Sequence, residues 1–211
     1  MKFQKLTIKN IASIEEAEID FDAEPLSNSG IFLITGKTGS GKSTILDCIC
    51  LALYGTTPRL ENTNIQGATT DLETEVKVND SRLLMRRNTS ECSVCLTFVG
   101  NDKKCYQAEW SCKRARGKIE GALQSKTRQL TNLTDNFVYS KDKDIVPEIK
   151  RIIGLDFEQF LRTVMLSQGE FTRFLNSKDN EKAEILEKLT GVDIYSRIGK
   201  KIYEIAKEKK E

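Results

Sequence analysis

The stretch Gly36 to Thr44 reads GKTGSGKST, and it constrains the fold of this chain more than any other stretch. The spacing of its glycines, second lysine and serine matches the P-loop pattern, which is informative only between a strand and a helix. The apolar run at 31–34 predicts that strand. Residues 45–53 contain neither Gly nor Pro and predict the helix. The sequence therefore predicts a binding site for a nucleoside triphosphate.

Each residue type in this stretch suits a polyphosphate. Glycines lack the Cβ atoms that would keep phosphate away from backbone amides, and the following helix offers free N–H groups and the positive end of its dipole. We expect Lys42 to place its ammonium between the β- and γ-phosphates of ATP, Ser43 to ligate Mg²⁺, and Thr44 to reach the α-phosphate. The predicted nucleotide contacts are Gly36, Lys37, Thr38, Gly39, Ser40, Gly41, Lys42, Ser43 and Thr44.

Length and composition fit one substantial domain, with or without an appendage. The chain has 211 residues, of which 38% are hydrophobic and 30% charged. No apolar run approaches the roughly 18 residues of a membrane span, and the N-terminus MKFQKLTIKN lacks the unbroken apolar segment of a signal peptide. We expect a cytoplasmic protein with no membrane partner. A formal net charge of +2 restricts any nucleic-acid contact to a local patch.

Six cysteines raise the alternatives of a zinc site or ordinary packing. Cys92 and Cys95 have CxxC spacing, but they fall in a stretch with strand-like alternation, where residues three apart point to opposite faces. Cys48 and Cys50 fall in the helix predicted after the P-loop. Because the chain has no histidine, packing is the favoured interpretation and zinc the alternative.

The first two thirds of the chain are predicted to be rich in antiparallel strands. Alternating residues at 2–9 and 17–21 predict a strand pair before the P-loop, and an irregular connection follows the P-loop helix from 56 to 71. Five further runs predict a meander: Glu75 to Val78, Leu83 to Arg86, Cys92 to Val99, Tyr106 to Cys112 and Ala122 to Leu130. A basic cluster after the fourth run most often marks a solvated turn, with contact to a DNA backbone as the alternative; its members are Lys113, Arg114, Arg116 and Lys118.

The last third is predicted to be helical. Isoleucines at 145–153 predict a helix with Pro147 in its first turn and Gly154 at its end, and a second short helix follows at 157–164. A local break around Gln168 leads to helical periodicity up to Gly191. Isoleucines at 194, 198, 202 and 205 then form a narrow apolar seam typical of a coiled coil. The predicted domains are 1–191 and 192–211, and because the seam stops without a cap we expect a truncated chain.

The parts needed for hydrolysis are missing from the sequence. Mg²⁺ coordination normally uses an acidic residue at the end of a second apolar strand. The candidate runs end instead at Ser167 and Gly100, and no LSGG-like stretch is present. The P-loop is therefore predicted to need residues from elsewhere.

Several stretches together resemble the SbcC family, the SMC-like ATPase components of bacterial SbcCD nuclease complexes. They are GKTGSGKST, LDCICLALYGTTPRL, LSQGEFTRFLNS and EILEKLTGVDIYSRI. The resemblance implies an α/β fold: the N-terminal lobe of a P-loop NTPase of the ABC/SMC head type, with an antiparallel β-rich portion and the start of a coiled-coil helix. It also implies that Gln168 is the Q-loop glutamine, which contacts Mg²⁺ or the attacking water. Lys42 and Gln168 would then be the catalytic residues in this chain.

The resemblance also implies partners. The C-terminal half of the same polypeptide would supply the signature motif, the acidic residues and a histidine switch. ATP would join two SbcC heads and so govern the access of double-stranded DNA ends and hairpins to the SbcD nuclease. Ala12 and Ser13 occupy the turn where archaeal and eukaryotic relatives often carry a basic residue. Because neither side chain is basic, the resemblance does not extend to an additional phosphate contact in this turn. A self-contained small P-loop kinase or NTPase, and a non-catalytic tether with a vestigial P-loop, are the alternative functions.

Overall fold

The computed structural model of the chain describes residues 1–27, 33–61, 67–72, 74–163, 199 and 201–203. Two compact units divide the chain, Met1–Gly154 and Leu155–Glu211. In the second unit, helix α4 spans Phe157–Thr163, in agreement with the predicted short helix. Gln168, the periodic stretch up to Gly191 and most of the predicted coiled-coil seam lie outside the described residues.

A six-stranded antiparallel sheet forms the body of the first unit, with strand order β2-β1-β5-β6-β7-β8. A separate two-stranded sheet pairs β3 with β4. The strands are β1 Lys2–Ile11, β2 Ile14–Asp20, β3 Ala68–Asp71, β4 Thr74–Lys77, β5 Glu91–Val99, β6 Cys105–Lys113, β7 Thr127–Asn132 and β8 Phe137–Tyr139.

Alternation of apolar and polar residues explains the central strands. Along β5 every second residue is buried, and the buried set is Cys92, Val94, Leu96 and Phe98. β6 follows the same pattern, and it pairs with β5 along its whole length. The strands predicted from alternation at the N-terminus and at 92–99 and 106–112 are therefore confirmed, because one face of this sheet is a core face.

Helix α1, Lys42–Tyr54, packs against β1, β5 and β6 and covers that core face. Eight consecutive residues at 47–54 are buried, which matches the nearly continuous apolar sequence of the helix. The helix ends at Gly55, whose φ of 74° gives a left-handed C-cap. A short helix α2, Pro58–Glu61, follows within the connection predicted to be irregular.

Helix α3, Asp142–Ile153, packs against β7 and α1 through its buried isoleucines and ends at Gly154 as predicted. It begins earlier than the isoleucine pattern indicated, so the prediction that Pro147 lies in the first turn is wrong. Pro147 is inside the helix, on an exposed side. Because proline has no N–H, it cannot donate the usual helical hydrogen bond to the Lys143 carbonyl. On the exposed side of the helix, water can donate to that carbonyl instead.

Other short segments also differ from what the sequence predicts. The run Leu83 to Arg86 was expected to be a strand, but Ser81–Leu84 is a 3₁₀ helix because the Asp80 side chain accepts a hydrogen bond from the Arg82 amide. β8 was not predicted. Leu33 and Ile34 are outside any strand, and Leu33 is 85% exposed, so the predicted strand before the P-loop is absent at its two described residues.

Among the described residues, no helix is long and apolar enough to cross a membrane.

Candidate nucleotide-binding site

The loop 36–41 leads directly into the N-terminus of α1. Gly41 is the N-cap, and no side chain caps the helix. The amides of Lys42, Ser43 and Thr44 belong to the first turn and have no partner within the helix, whereas the Ile45 amide donates to the Gly41 carbonyl at 3.0 Å. Because the positive end of the helix dipole lies at the same place, this helix start is suited to bind an anion.

Two of the predicted glycines occupy positions that disfavour a larger residue, for different reasons. Gly41 has a φ of 90°, and a Cβ at this position would lie 3.4 Å from both Ser13 Oγ and Ile14 Cγ1. A Cβ at Gly36 would lie 2.7 Å from Ser40 Oγ, which is closer than such contacts occur. The left-handed φ of Gly41 thus favours glycine even without a ligand, whereas at Gly36 the Ser40 hydroxyl would have to rotate away from an added Cβ.

The Lys42 ammonium lies inside the loop. Its Nζ donates to the carbonyl oxygen of Gly36 at 2.7 Å and to that of Lys37 at 2.8 Å. These two bonds hold a positive charge beside the free amides of the first helical turn. A phosphate bound there would receive charge-assisted hydrogen bonds from the ammonium, which are about twice as strong as neutral ones.

The structure brings all predicted phosphate contacts into one exposed loop and one helix start. Residues 36–40 and Ser43 are exposed, whereas Thr44 is buried. The Ser43 hydroxyl is accessible next to Lys42, as a magnesium ligand needs to be. Gln168 lies outside the described residues, so its role and its distance from the loop remain predictions.

An ion pair in the body of α1 was not predicted from the sequence. Asp47 Oδ2 lies 2.6 Å from the Arg59 guanidinium of α2, with the Asp47 side chain 8% exposed. Burial raises the pKa of Asp47, and the charge of Arg59 counteracts part of that rise. The signal was present in the sequence, since a single acidic residue in an otherwise apolar helix needs a partner when it is buried.

Arg128 of β7 lies under the C-terminal end of α1 and was also not predicted. Its side chain is 4% exposed and donates to Asp142 Oδ1 at 2.6 Å and to the Leu53 carbonyl at 2.9 Å. A cation at the negative end of a helix dipole is stabilising. Burial lowers the pKa of Arg128, and the charge of Asp142 counteracts part of that shift. Through its bonds to Leu53 and Asp142, Arg128 ties the P-loop helix to both the sheet and α3.

The basic cluster after β6 is not a uniform exposed patch. Arg114 is buried and donates to the carbonyls of Thr89 and Gly121, and its guanidinium pairs with Asp71 at 2.8 Å. The alternative of DNA contact is therefore wrong for Arg114, because its donors are already used within the fold. The other three members of the cluster are exposed.

The six cysteines are free thiols, with Cys92 buried and Cys95 half-buried on alternate faces of β5, as the alternation predicted. Burial raises the pKa of Cys92 to about 12, and that of Cys95 to about 11. It also raises the pKa of Cys48 and Cys50 in α1. The thiols in these positions behave as small apolar side chains.

Comparison with protein families gives a match to the family described as AAA domain, over residues 5–211. The SbcC component of the SbcCD nuclease of Pseudomonas aeruginosa is 42% identical over 211 residues, which covers 99% of this chain and 17% of that protein. The protein of the same name from Rhodobacter capsulatus is 40% identical and covers 97% of this chain and 17% of that protein. That of Bacillus subtilis is 34% identical, with coverage of 99% and 17%.

The chain thus spans 17% of the length of these three relatives. Among solved structures, the recombination mediator protein RecF-ATP of the RecFOR pathway is similar with a TM-score of 0.45 and 14% identity. That similarity covers 82% of this chain and 36% of that one.

Proposed function

The chain belongs to the AAA domain family, and from its similarity to SbcC proteins we propose that it is the ATP-binding N-terminal part of an SbcC-type ATPase. Similarity to the SbcC component of the SbcCD nuclease extends over nearly the whole chain. The activity, substrates and partners of the whole protein are part of the proposal, since the chain corresponds to a fraction of each relative's length.

The observation that carries the proposal is the geometry at the start of α1. Three amides free of helical partners, two glycines with left-handed φ values and the Lys42 ammonium lie together in one exposed loop and helix start. In the proposed complex, Lys42 exchanges its contacts with the Gly36 and Lys37 carbonyls for contacts with the β- and γ-phosphates. Binding would then replace two hydrogen bonds to neutral carbonyls with charge-assisted bonds to phosphate oxygens.

Mg²⁺ is proposed as the cofactor that accompanies ATP. This ion keeps several waters and takes one or two protein oxygens in addition to phosphate oxygens. The accessible Ser43 hydroxyl fits that donor set, and Gln168 is the second proposed ligand. When bound, the ion would neutralise charge that develops on the phosphates during transfer.

Hydrolysis is proposed to need further chain. The C-terminal half of the same polypeptide would supply the acidic residues for the ion, and a second SbcC head would close over the nucleotide. A ligand that contacts both heads binds the engaged state selectively and shifts the equilibrium towards it by its difference in affinity. We propose that this shift controls the processing of double-stranded DNA ends by SbcD, in the cytoplasm.

Replacing Lys42 tests the proposal. Titration of the 211-residue chain with MgATP in a calorimeter should give one site per chain, and Lys42→Met should weaken binding by about a hundredfold because the site loses its charge-assisted donor. Lys118→Met serves as the control, since it removes an exposed lysine of equal charge outside the loop. If the Lys42 variant binds ATP as tightly as its parent does, the proposed site is wrong.

A further inference from the structure

The turn between β1 and β2 adopts a strained conformation. Asn10 and Ala12 have φ values of 54° and 47°, in the left-handed region that residues with a Cβ rarely adopt. Such a turn persists only when surrounding contacts hold it in place.

A segment distant in sequence supplies those contacts. The Ala12 amide donates to the Leu84 carbonyl at 2.8 Å, and the Arg86 amide donates to the Asn10 carbonyl at 2.9 Å. Ile11 and Met85 form an antiparallel bridge between these bonds. The backbone of 84–86 therefore pairs with the turn through this one bridge and its two flanking hydrogen bonds.

The Arg86 side chain adds a second layer of support. Its Nη1 donates to the Ser13 carbonyl at 2.9 Å and approaches the Ala12 carbonyl at 3.4 Å. Its other Nη lies 3.9 Å from a carboxylate oxygen of Glu15, which is largely exposed. One guanidinium thus fixes the direction of two successive carbonyls in a strained turn.

The turn held by Arg86 lies beside the start of the P-loop helix. Ser13 Oγ and Ile14 Cγ1 lie 3.4 Å from the position that a Cβ of Gly41 would occupy. Gly41 is the N-cap of α1 and immediately precedes the Lys42 amide. A shift of the turn would therefore change the surroundings of Gly41 and of the free amides that follow it.

We propose that Arg86 is a positioning residue for the nucleotide site, acting through the β1–β2 turn on Gly41 and the first turn of α1. The inference rests on the proposed function, because it assigns a role towards a phosphate bound at that helix start. Arg86 does not itself touch Lys42 or the loop 36–41 in the described contacts. Its contribution is to hold the amides in the direction that a phosphate requires, since binding is sensitive to small displacements of such donors.

Arg82 provides a matched control within the same segment. Its guanidinium pairs with Asp80 at 2.7 Å and approaches the Gln124 carbonyl, and like Arg86 it is partly buried. It makes no described contact with the β1–β2 turn. Replacing either arginine by methionine removes one positive charge and a comparable set of hydrogen bonds. At Arg86 the new side chain has room, because an open groove of about 510 Å³ lies beside it.

The test measures the affinity for a fluorescent N-methylanthraniloyl ATP with Mg²⁺, together with the thermal midpoint, in the 211-residue chain. We expect Arg86→Met to raise the Kd by about tenfold and Arg82→Met by less than about twofold, although both lower the midpoint. Arg86→Lys keeps the charge and one donor, so it should recover part of the affinity. It also carries the test if the methionine variant does not fold.

Equal Kd values for the parent and the Arg86 variants would overturn the inference, as would equal losses of affinity in the Arg82 and Arg86 variants. A parent chain that does not bind the nucleotide would overturn the proposed function itself. That result is distinguishable, because it appears before any substitution is made.

Discussion

At the scale of single residues, the fold depends on a few positions where the neighbouring atoms determine which residue type fits. Gly55 is an example away from the phosphate loop. It ends α1 in the left-handed conformation, and a Cβ there would lie 2.9 Å from Arg128 Nε. That guanidinium cannot withdraw easily, because it is buried and bonded to Asp142 and the Leu53 carbonyl.

Gly55→Ala should therefore destabilise the fold by more than a left-handed alanine alone would. We expect a loss of about 1 kcal/mol from the backbone conformation and about 2 kcal/mol more from displaced Arg128 contacts. Gly117→Ala is the control, since Gly117 also has a positive φ, of 64°, and nothing within 4 Å of the added Cβ. Urea unfolding curves would measure both. Equal losses of unfolding free energy in the two variants would show that the Arg128 side chain moves aside without cost.

Residue identity alone predicted the phosphate loop, because its chemistry is local. The glycines, Lys42 and Ser43 occupy consecutive positions whose roles depend on the backbone of nine residues. Arg86 and Arg128 could not be predicted in this way. Each acts on a carbonyl more than 70 residues away in sequence, Ser13 and Leu53 respectively. Backbone pairing brings Arg86 to Ser13, and the packing of α1 on the sheet brings Leu53 to Arg128.

At the scale of elements, burial periodicity decides which positions carry stability. In α3, Ile145, Ile149, Ile152 and Ile153 are buried, whereas Val146 is 44% exposed. Both Ile149 and Val146 are β-branched residues in the interior of the same helix. Their helical propensities are therefore similar, and burial is the main difference between them.

Ile149→Ala should cost about 2–5 kcal/mol because it leaves a cavity in the core, and Val146→Ala should change the free energy of unfolding by less than about 0.5 kcal/mol. Fluorescence of Trp110, which is the single tryptophan and fully buried, reports the unfolding transition. A large loss from the Val146 variant would contradict the packing of α3 described above.

Elements were predictable where a pattern was long enough. β5 and β6 span nine residues each, and their alternation is unambiguous. The run 83–86 is too short for alternation to distinguish a strand from a 3₁₀ turn, and the Asp80 cap decided the outcome. β8 has only three residues and was missed for the same reason.

At the scale of the whole molecule, the sequence predicted the kind of fold but not the order of strands. β1 pairs with β5 on one side and with β2 on the other. The N-terminal hairpin therefore belongs to the same sheet as the meander, although the P-loop helix lies between them in sequence. No local pattern encodes that pairing. The strand predicted before the P-loop shows that a local apolar run is not sufficient either. A strand also needs neighbouring strands, and at Leu33 the side chain is exposed.

The central claim is that the backbone amides from Gly39 to Thr44 hold the phosphates of ATP. Hydrogen–deuterium exchange of the 211-residue chain tests it most directly, with adenosine as the ligand that lacks phosphate. We predict that MgATP slows exchange at residues 39–44, that adenosine does not, and that Lys42→Met abolishes the protection. ATP binding that leaves these amides unprotected, or equal protection by adenosine, would contradict the account.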